Sequence, residues 1–581
     1  MVVEWVRPRA WCLGAAGTEL QNERGRATRA AVFAGAWAGL VAACAVGAPP
    51  KVNHFFPPGV QRGTAAAVTA TGDFSTWPVR CWTSHEGLRA EASAEKGKLQ
   101  VSVASEVPPG VYWLRCVTDE GASSPRPLVV GTVPDVEEAE PNDSPDKWQA
   151  VPQRSAIHGR LARNGDVDAF VVQLRKGETL VADLQANSGL GSPMDAVLQV
   201  CWLGQAPGAR RADAFIMQQN DDTVGIDPRI VYTAPREGDY LLRVFAFPLV
   251  PNSTIGFAGG NDFIYRLTVT TGPFIDHAEP LAVPSGQSSE VRLHGWNLDD
   301  NQRTVTVAAG AEGDQVPVFL SEAGGVALVS ATTAPVLVSS VSEQTAPREL
   351  PVPASVTGWL SVPQQRDRYI LAAVKGHKYR VRVESRGLGF DTDPAIRLTD
   401  SAAKRLDEND DAEGGRDASL VFTAPTNGNY HIEVRDVHGL SGPRHVYRLS
   451  LQDAVPDFAL RVEGDSYIVT AGEKVEIPVT VTRVEGLQEP VTIQAVGLPE
   501  GVEAAAVVSE KSGASAKAVK LVITVPAGVG PVSGPIRIEG FTDAMGAEGA
   551  VVHPLRRAAS YVLKEWNAAR TDVWLTVKAA K

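Results

Sequence analysis

The chain matches itself, and that match restricts the possible folds more than any other feature of it. Gly159-Arg160-Leu161, Asp168-Ala169-Phe170 and Lys176-Gly177 line up without a gap on Gly358-Trp359-Leu360, Asp367-Arg368-Tyr369 and Lys375-Gly376. The register then slips and resumes. Asn220-Asp221-Asp222 answers Asn409-Asp410-Asp411, and Asp227 to Val244, with Thr233-Ala234-Pro235, Gly238 and Tyr240, answers Asp417 to Val434, with Thr423-Ala424-Pro425, Gly428 and Tyr430. Tyr265-Arg266-Leu267 and Tyr447-Arg448-Leu449 close the two copies. A repeat of this size is a unit with its own core. Apolar residues alternate along Phe170 to Leu174 and Tyr240 to Val244, with Gly, Asp and Pro between the runs, which is the period of half-buried strands. Each copy is therefore predicted to be an antiparallel β-sandwich.

A second repeat is interleaved with the first. Pro57, Gly63, Val68 and Gly72 match Pro280, Gly286, Val291 and Gly295 at one constant offset, each set opening a shorter β segment. A fifth unit begins near Pro456, where Val475-Glu476-Ile477-Pro478-Val479-Thr480-Val481 alternates strictly. The expected plan is a leader over 1–48, an immunoglobulin-like sandwich over 49–134, a large sandwich over 135–272, a small one over 273–350, a second large one over 351–455 and an immunoglobulin-like sandwich over 456–581. A length of 581 residues, 44% of them hydrophobic and 21% charged, supplies several cores, and 54 Gly with 40 Pro suits strands and turns. The fold class is all-β, tandem β-sandwiches. A formal charge of -12 without a clustered basic patch argues against nucleic acid as a partner.

Arg24, Arg26 and Arg29 precede an apolar run from Ala30 to Ala48, which suits a signal segment better than a membrane span. Export is expected, to the periplasm, the cell surface or the medium. Small residues at Ala43 and Ala45 allow cleavage before Val46, and Val41-Ala42-Ala43-Cys44 equally resembles a lipobox with Cys44 as a lipid anchor. No later run is long enough to span a membrane. Beyond the leader stand Cys81, Cys116 and Cys201; a Cys81–Cys116 bridge and two buried thiols are both compatible with probable strands there, and Cys201 reads as core.

Glu138-Ala139-Glu140-Pro141-Asn142-Asp143 leads the first large repeat. Calcium takes about six to eight hard oxygen ligands, and Glu138, Glu140, Asn142 and Asp143 offer them within six residues of extended chain. Alternate residues share a face, so Glu138, Glu140 and Asn142 point one way and Asp143 has to turn in at a kink. The plainer alternative is a solvated acidic linker that only turns the chain into the sandwich.

With these motifs on view, the large repeats resemble the bacterial pre-peptidase C-terminal domain. This is a jelly-roll-like sandwich found beside secreted proteases and, as a collagen-binding module, at the end of clostridial collagenases. The resemblance covers 135–272 and 351–455 and rests on the Glu-x-Glu-x-Asn-Asp linker, the Gly-x-Leu opening, the Asp before an aromatic, Asn-Asp-Asp and Thr-Ala-Pro-x-x-Gly-x-Tyr. The small units resemble immunoglobulin-like or IPT-type modules. The resemblance implies that the linker lies against the loop Asn164-Gly165-Asp166-Val167-Asp168, so that Asp166 and Asp168 complete one calcium site. The second copy has Glu343-Gln344-Thr345-Ala346-Pro347-Arg348-Glu349 for the linker and Gln364-Gln365-Arg366-Asp367 for the loop, and is expected to bind no metal there.

Catalytic patterns are missing. His85-Glu86-Gly87-Leu88-Arg89 starts like a zincin helix but ends in Arg, and no nucleophile elbow, Walker loop or dinucleotide fingerprint occurs. Asn220-Asp221-Asp222 and its counterpart read as turns or, alternatively, as cation ligands, Tyr240 and Tyr430 as tyrosine corners, and Trp77, Trp82 and Trp113 as core or as a stacking surface. The expectation is an exported, non-enzymatic binding or adhesion module with an extracellular protein or polysaccharide as partner. Its rivals are a passive spacer and an accessory protein of a secreted peptidase or hydrolase.

Overall fold

Alternation in the sequence becomes strand in the structure. In Lys474–Val484 the side chains of Ile477, Val479 and Val481 enter the core while Glu476, Pro478, Thr480 and Thr482 face solvent, the period that a sheet with one buried face requires. The computed structural model describes residues 47–204, 213–250, 256–339, 347–412, 415–542, 555–566 and 568–580. The leader with Cys44, the stretch Glu343 to Ala346 and Glu413 lie outside the described residues. The described chain is built of β-sheets, with one short helical turn at Asn187–Leu190 and three 3-10 turns. Among the described residues no helix is long and apolar enough to cross a membrane.

The two large repeats have the same strand order in both of their sheets. In the first copy one sheet runs Asp135–Glu137, Arg154–Arg160, Ile264–Thr270, Thr179–Gln185, Arg229–Thr233, and the other Gln149–Ala150, Asp168–Leu174, Gly238–Pro248, Met194–Gly204, Asp213–Asn220. The second copy repeats this order with Val336–Val338, Ala354–Trp359, Val446–Asp453, Lys378–Glu384, Ala418–Thr423, and with Arg348–Leu350, Arg366–Ala373, Gly428–Asp436, Pro394–Thr399, Arg405–Asn409. In every one of these sheets the first pair is parallel and the others antiparallel. Each pair of sheets closes on its own apolar cluster, around Phe170, Leu198 and Leu242 in one copy and Tyr369, Ile396 and Ile432 in the other. The second large sandwich starts earlier than the sequence suggested. Val336–Val338 and Arg348–Leu350, expected within the preceding small unit, hydrogen-bond into the sheets of the large one, because short parallel edge strands carry too little alternation to be read.

The small repeats also match. Lys51–Phe56 pairs with Ala65–Asp73, and Phe274–Glu279 with Ser288–Trp296, each with a bulge in the first strand. Gly72 and Gly295 stand at those bulges, where a Cβ would overlap the carbonyl oxygens of Lys51 and Phe274. This close approach explains why both copies keep a glycine.

The first and last sandwiches pack on each other. Arg115, fully buried, donates from Nη1 to Asp465 Oδ2 at 2.7 Å and from Nη2 to Tyr561 Oη at 2.9 Å. Trp113 joins the core of the last sandwich, and Trp82 meets Trp574 edge to face at 5.8 Å. Trp77 donates to Ser93 O and packs on Phe74. These tryptophans are occupied by packing, so they form no stacking surface for a ligand. Cys81 and Cys116 are free thiols directly opposite each other on neighbouring strands, and Cys201 is buried.

Candidate metal centre

A glycine makes room for the site. Gly159 lies opposite Tyr265 in the register of Arg154–Arg160 with Ile264–Thr270, and a Cβ there would overlap the Tyr265 ring. The ring uses the vacant space, and Tyr265 Oη donates to Asp168 Oδ2 at 2.6 Å. The second copy repeats the device with Gly358, Tyr447 and Asp367, also at 2.6 Å. Gly-x-Leu, Tyr-Arg-Leu and the Asp before an aromatic are thus three parts of one contact. Sequence reasoning had assigned no role to Tyr265; its register partner Gly159 was the available signal.

The acidic linker folds over this corner. Glu138 N donates to His158 O at 3.0 Å, which extends the parallel pairing by one residue. Glu138 Oε2 accepts from Arg160 N at 2.8 Å and its Oε1 from Asn142 Nδ2 at 2.7 Å, while Glu140 Oε2 accepts from Asn142 N at 3.0 Å. Asp166 Oδ2 accepts from Ala162 N at 2.6 Å. Glu138, Glu140 and Asp168 each bring one carboxylate oxygen within 4.8 Å of the others.

Three oxygens at this corner lack what burial demands. Asn142, Asp166 and Asp168 are 0% exposed, and Asn142 Oδ1, Asp166 Oδ1 and Asp168 Oδ1 have no hydrogen-bond partner. An unsatisfied buried acceptor costs about 1–3 kcal/mol, more when charged, a cost that a bound cation or a proton shared between Glu138 and Asp168 would offset. Burial, with the charge of Glu138 added, pushes the Asp168 carboxyl well above the usual carboxylate range. Burial likewise raises Glu138 and, together with the charge of Asp166, Glu140. The donor set is all oxygen: a carboxamide and four carboxylates. Of these, Glu138, Glu140 and Asp168 are the residues whose carboxylate oxygens converge closely enough to hold a hard metal ion.

Asp143 departs from expectation. It does not turn into the cluster; its Oδ2 accepts from Arg163 Nη2 at 2.9 Å, and the same nitrogen lies 3.5 Å from Asp166 Oδ1. A basic side chain in the acidic loop had not been weighed, and it draws Asp143 outward.

The second copy handles the same corner without charge. Gln365 stands where Asp166 stands, and its Oε1 accepts from Ser361 N at 2.7 Å as Asp166 accepts from Ala162. Its Nε2 then donates to Asp367 Oδ1 at 2.8 Å and to Trp359 O at 2.9 Å. The oxygen matching the orphan of Asp168 is thereby satisfied. Ser339, whose N donates to Thr357 O at 2.8 Å, takes the backbone position of Glu138.

The remaining motifs resolve into structure. Asn220 Oδ1 accepts from Arg229 N and Asn409 Oδ1 from Ser419 N, so both Asn-Asp-Asp runs are turns. Asp227 accepts from the backbone of Ala186, Asn187 and Ser188, as Asp417 does from Ser385, Arg386 and Gly387. Tyr240 and Tyr430 tie their hydroxyls to the carbonyls of Arg236 and Thr426, as tyrosine corners do. His85 Nδ1 accepts from Gly87 N within a turn. Trp359 is exposed and donates to Gly442 O.

No family model and no curated protein matches the chain. Among solved structures, a candidate secreted protein from Eubacterium rectale is similar at 10% identity and TM-score 0.15, over 30% of this chain and 62% of that one. Tripeptidyl peptidase 2 is similar at 10% identity and TM-score 0.14, over 86% of this chain and 39% of that one. The fibronectin(III)-like modules of Clostridium thermocellum CbhA are similar at 12% identity and TM-score 0.11, over 33% of this chain and 92% of theirs. The chain spans less than two thirds of the first two structures' own length, and likenesses of this size carry no functional argument.

Proposed function

We propose that this is an exported, non-enzymatic β-sandwich protein that binds an extracellular protein or polysaccharide polymer, and that a calcium ion stiffens the start of its first large sandwich. The observation that carries the calcium is the convergence of carboxylate oxygens from Glu138, Glu140 and Asp168, beside buried oxygens of Asn142 and Asp168 that have no hydrogen-bond partner. The residues would hold the ion between the linker and the loop, locking the linker onto the sandwich. This reading keeps the resemblance of the large repeats to pre-peptidase C-terminal domains.

A surface difference supports polymer binding. The edge strand Asp213–Asn220 of the first large sandwich, which pairs with Met194–Gly204, exposes Phe215, Ile216 and Met217. Its counterpart in the second copy, Arg405–Asn409, reads Arg-Leu-Asp-Glu-Asn. Exposed apolar side chains on a strand at the edge of a sheet suit an extended partner that adds to the sheet. The packing of the first sandwich against the last through Arg115 favours a folded platform over an extended spacer.

The test is retention of the full chain on collagen, peptidoglycan and a glycan array, with calcium and with chelator. Binding to one of them that needs calcium and is lost in Phe215→Ser with Ile216→Ser is the expected result. Retention on none of them with calcium present would overturn the polymer-binding reading.

A further inference from the structure

A cavity of about 990 Å³ opens where the first four sandwiches meet, lined in part by Tyr112, Val129, Arg266, Leu281, Phe390 and Arg448. Four arginines reach its wall, and three are neutralised. Arg229 pairs with Asp183 at 2.6 Å and with Asp276, Arg444 pairs with Asp276, and Arg448 pairs with Glu384 at 2.6 Å. Arg266 is different. It is 4% exposed, its Nη1 donates to Thr268 Oγ1 at 3.0 Å, its Nε has no hydrogen-bond partner, and among the described residues no carboxylate lies in ion-pair contact with it. Burial works against the charge and pulls its pKa below the ordinary value, with the charges of Asp135 and Asp183 offsetting only part of that effect.

The internal repeat shows what is missing. Arg266 and Arg448 hold the same place in the Tyr-Arg-Leu motif. Across the sheet Arg448 faces Glu384, and the two side chains pair; Arg266 faces Gln185 in the same register. One copy keeps the carboxylate and the other has an amide in its place. Arg266 Nη2 packs against Gly131, where a Cβ would overlap it. A buried guanidinium left without its carboxylate is costly to keep, and a planar fork that fits carboxylates is well suited to recognise one from outside.

We propose that this cavity binds a small organic carboxylate, whose carboxylate group takes at Arg266 the place that Glu384 takes at Arg448. The apolar wall formed by Val129, Leu281, Phe390 and the ring of Tyr112 receives the ligand's body. A cavity of this size matches a ligand of a few hundred daltons or less, with one charged anchor and an apolar enclosure. The site is independent of the calcium reading.

The experiment uses the full chain and a defined probe series: phenylacetate, 3-phenylpropionate and 4-phenylbutyrate, the neutral analogue phenylacetamide, and inorganic phosphate. Kd is read by ligand-observed NMR and unliganded stability by thermal melts. The arylalkyl carboxylates bind the wild type, the amide and phosphate bind at least about tenfold more weakly, and Arg266→Gln weakens carboxylate binding by about tenfold or more. Gln185→Glu supplies the missing internal partner, so it raises the melting temperature of the unliganded protein and abolishes carboxylate binding. This second variant keeps the test decisive if Arg266→Gln folds poorly. Three results would each overturn the proposal: no binding of any carboxylate in the series to the wild type at millimolar concentration, equal binding to wild type and Gln185→Glu, or phosphate binding as tightly as the carboxylates.

Discussion

In the first large sandwich Asp166 and Asp168 turn two carboxylates into a buried corner, and Glu138 and Glu140 bring two more from the linker. In the second, Gln365 and Asp367 fill the equivalent corner, and the amide of Gln365 donates to the carboxylate that would otherwise be orphaned. Strand order, tyrosine, glycine and aspartate are the same in both. What differs is whether the aspartate accepts from the chain's own N–H or keeps an oxygen without a hydrogen-bond partner. The linker carboxylates and the exchange of Asp166 for Gln365 separate the two corners, and the Gln185–Arg266 and Glu384–Arg448 pairs show the same acid-for-amide exchange with the signs reversed.

Swapping residues between the copies is the strongest way to break this comparison. Gln365→Asp removes two hydrogen bonds and leaves a second carboxylate buried beside Asp367, and should lower unfolding free energy by about 3–5 kcal/mol in chelator, measured by urea denaturation. A change within error would mean that the amide is not what satisfies Asp367. Calcium should stabilise the wild type by about 2.7 kcal/mol at a hundredfold excess over Kd, and Asp166→Gln should erase that gain while stabilising the chelated protein. The hydroxyls that both copies share give a smaller effect: Tyr447→Phe should cost about 1.5–3 kcal/mol, as expected for a hydrogen bond to a charged acceptor.

The pH dependence distinguishes the copies further. Glu138 and Asp168 have folded-state values raised above the usual carboxylate range by burial. The folded protein then holds more protons than the unfolded chain, so in chelator stability should fall as pH rises from about 4 toward neutrality, by at most about 1.4 kcal/mol per pH unit for each group. With calcium present the trend reverses, because binding expels those protons. Melts across pH with and without calcium check the sign, and parallel slopes would count against the site. The smallest effect is expected at Asp143→Ala. The Arg163 pair is partly exposed, so stability should change by about 1 kcal/mol or less, and calcium affinity should fall far less than in Asp168→Asn.

Much of this was legible in the sequence because it repeats. The gapless match from Gly159 to Gly177 fixed both large sandwiches, and alternating runs such as Val475 to Val481 identified their neighbours as strands. The linker motif brought Glu138, Glu140 and Asn142 together as read. Short parallel edges such as Val336–Val338 were not legible, since three residues show no period. Nor were contacts made across long separations: Tyr265 on Asp168, Arg163 on Asp143 and Arg115 on Asp465 and Tyr561 depend on register and packing between sandwiches. The tryptophans illustrate the same limit, because their composition suited a ligand surface as well as the packing they adopt, Trp82 and Trp113 against the last sandwich and Trp77 against Phe74.

The central claim is that one corner of the repeat pair needs a cation and the equivalent corner does not. Isothermal titration of calcium into the full chain tests it most directly. The account predicts one site for the wild type and none for Asp166→Gln; a stoichiometry of zero for the wild type, or a site that survives Asp166→Gln unchanged, would contradict it.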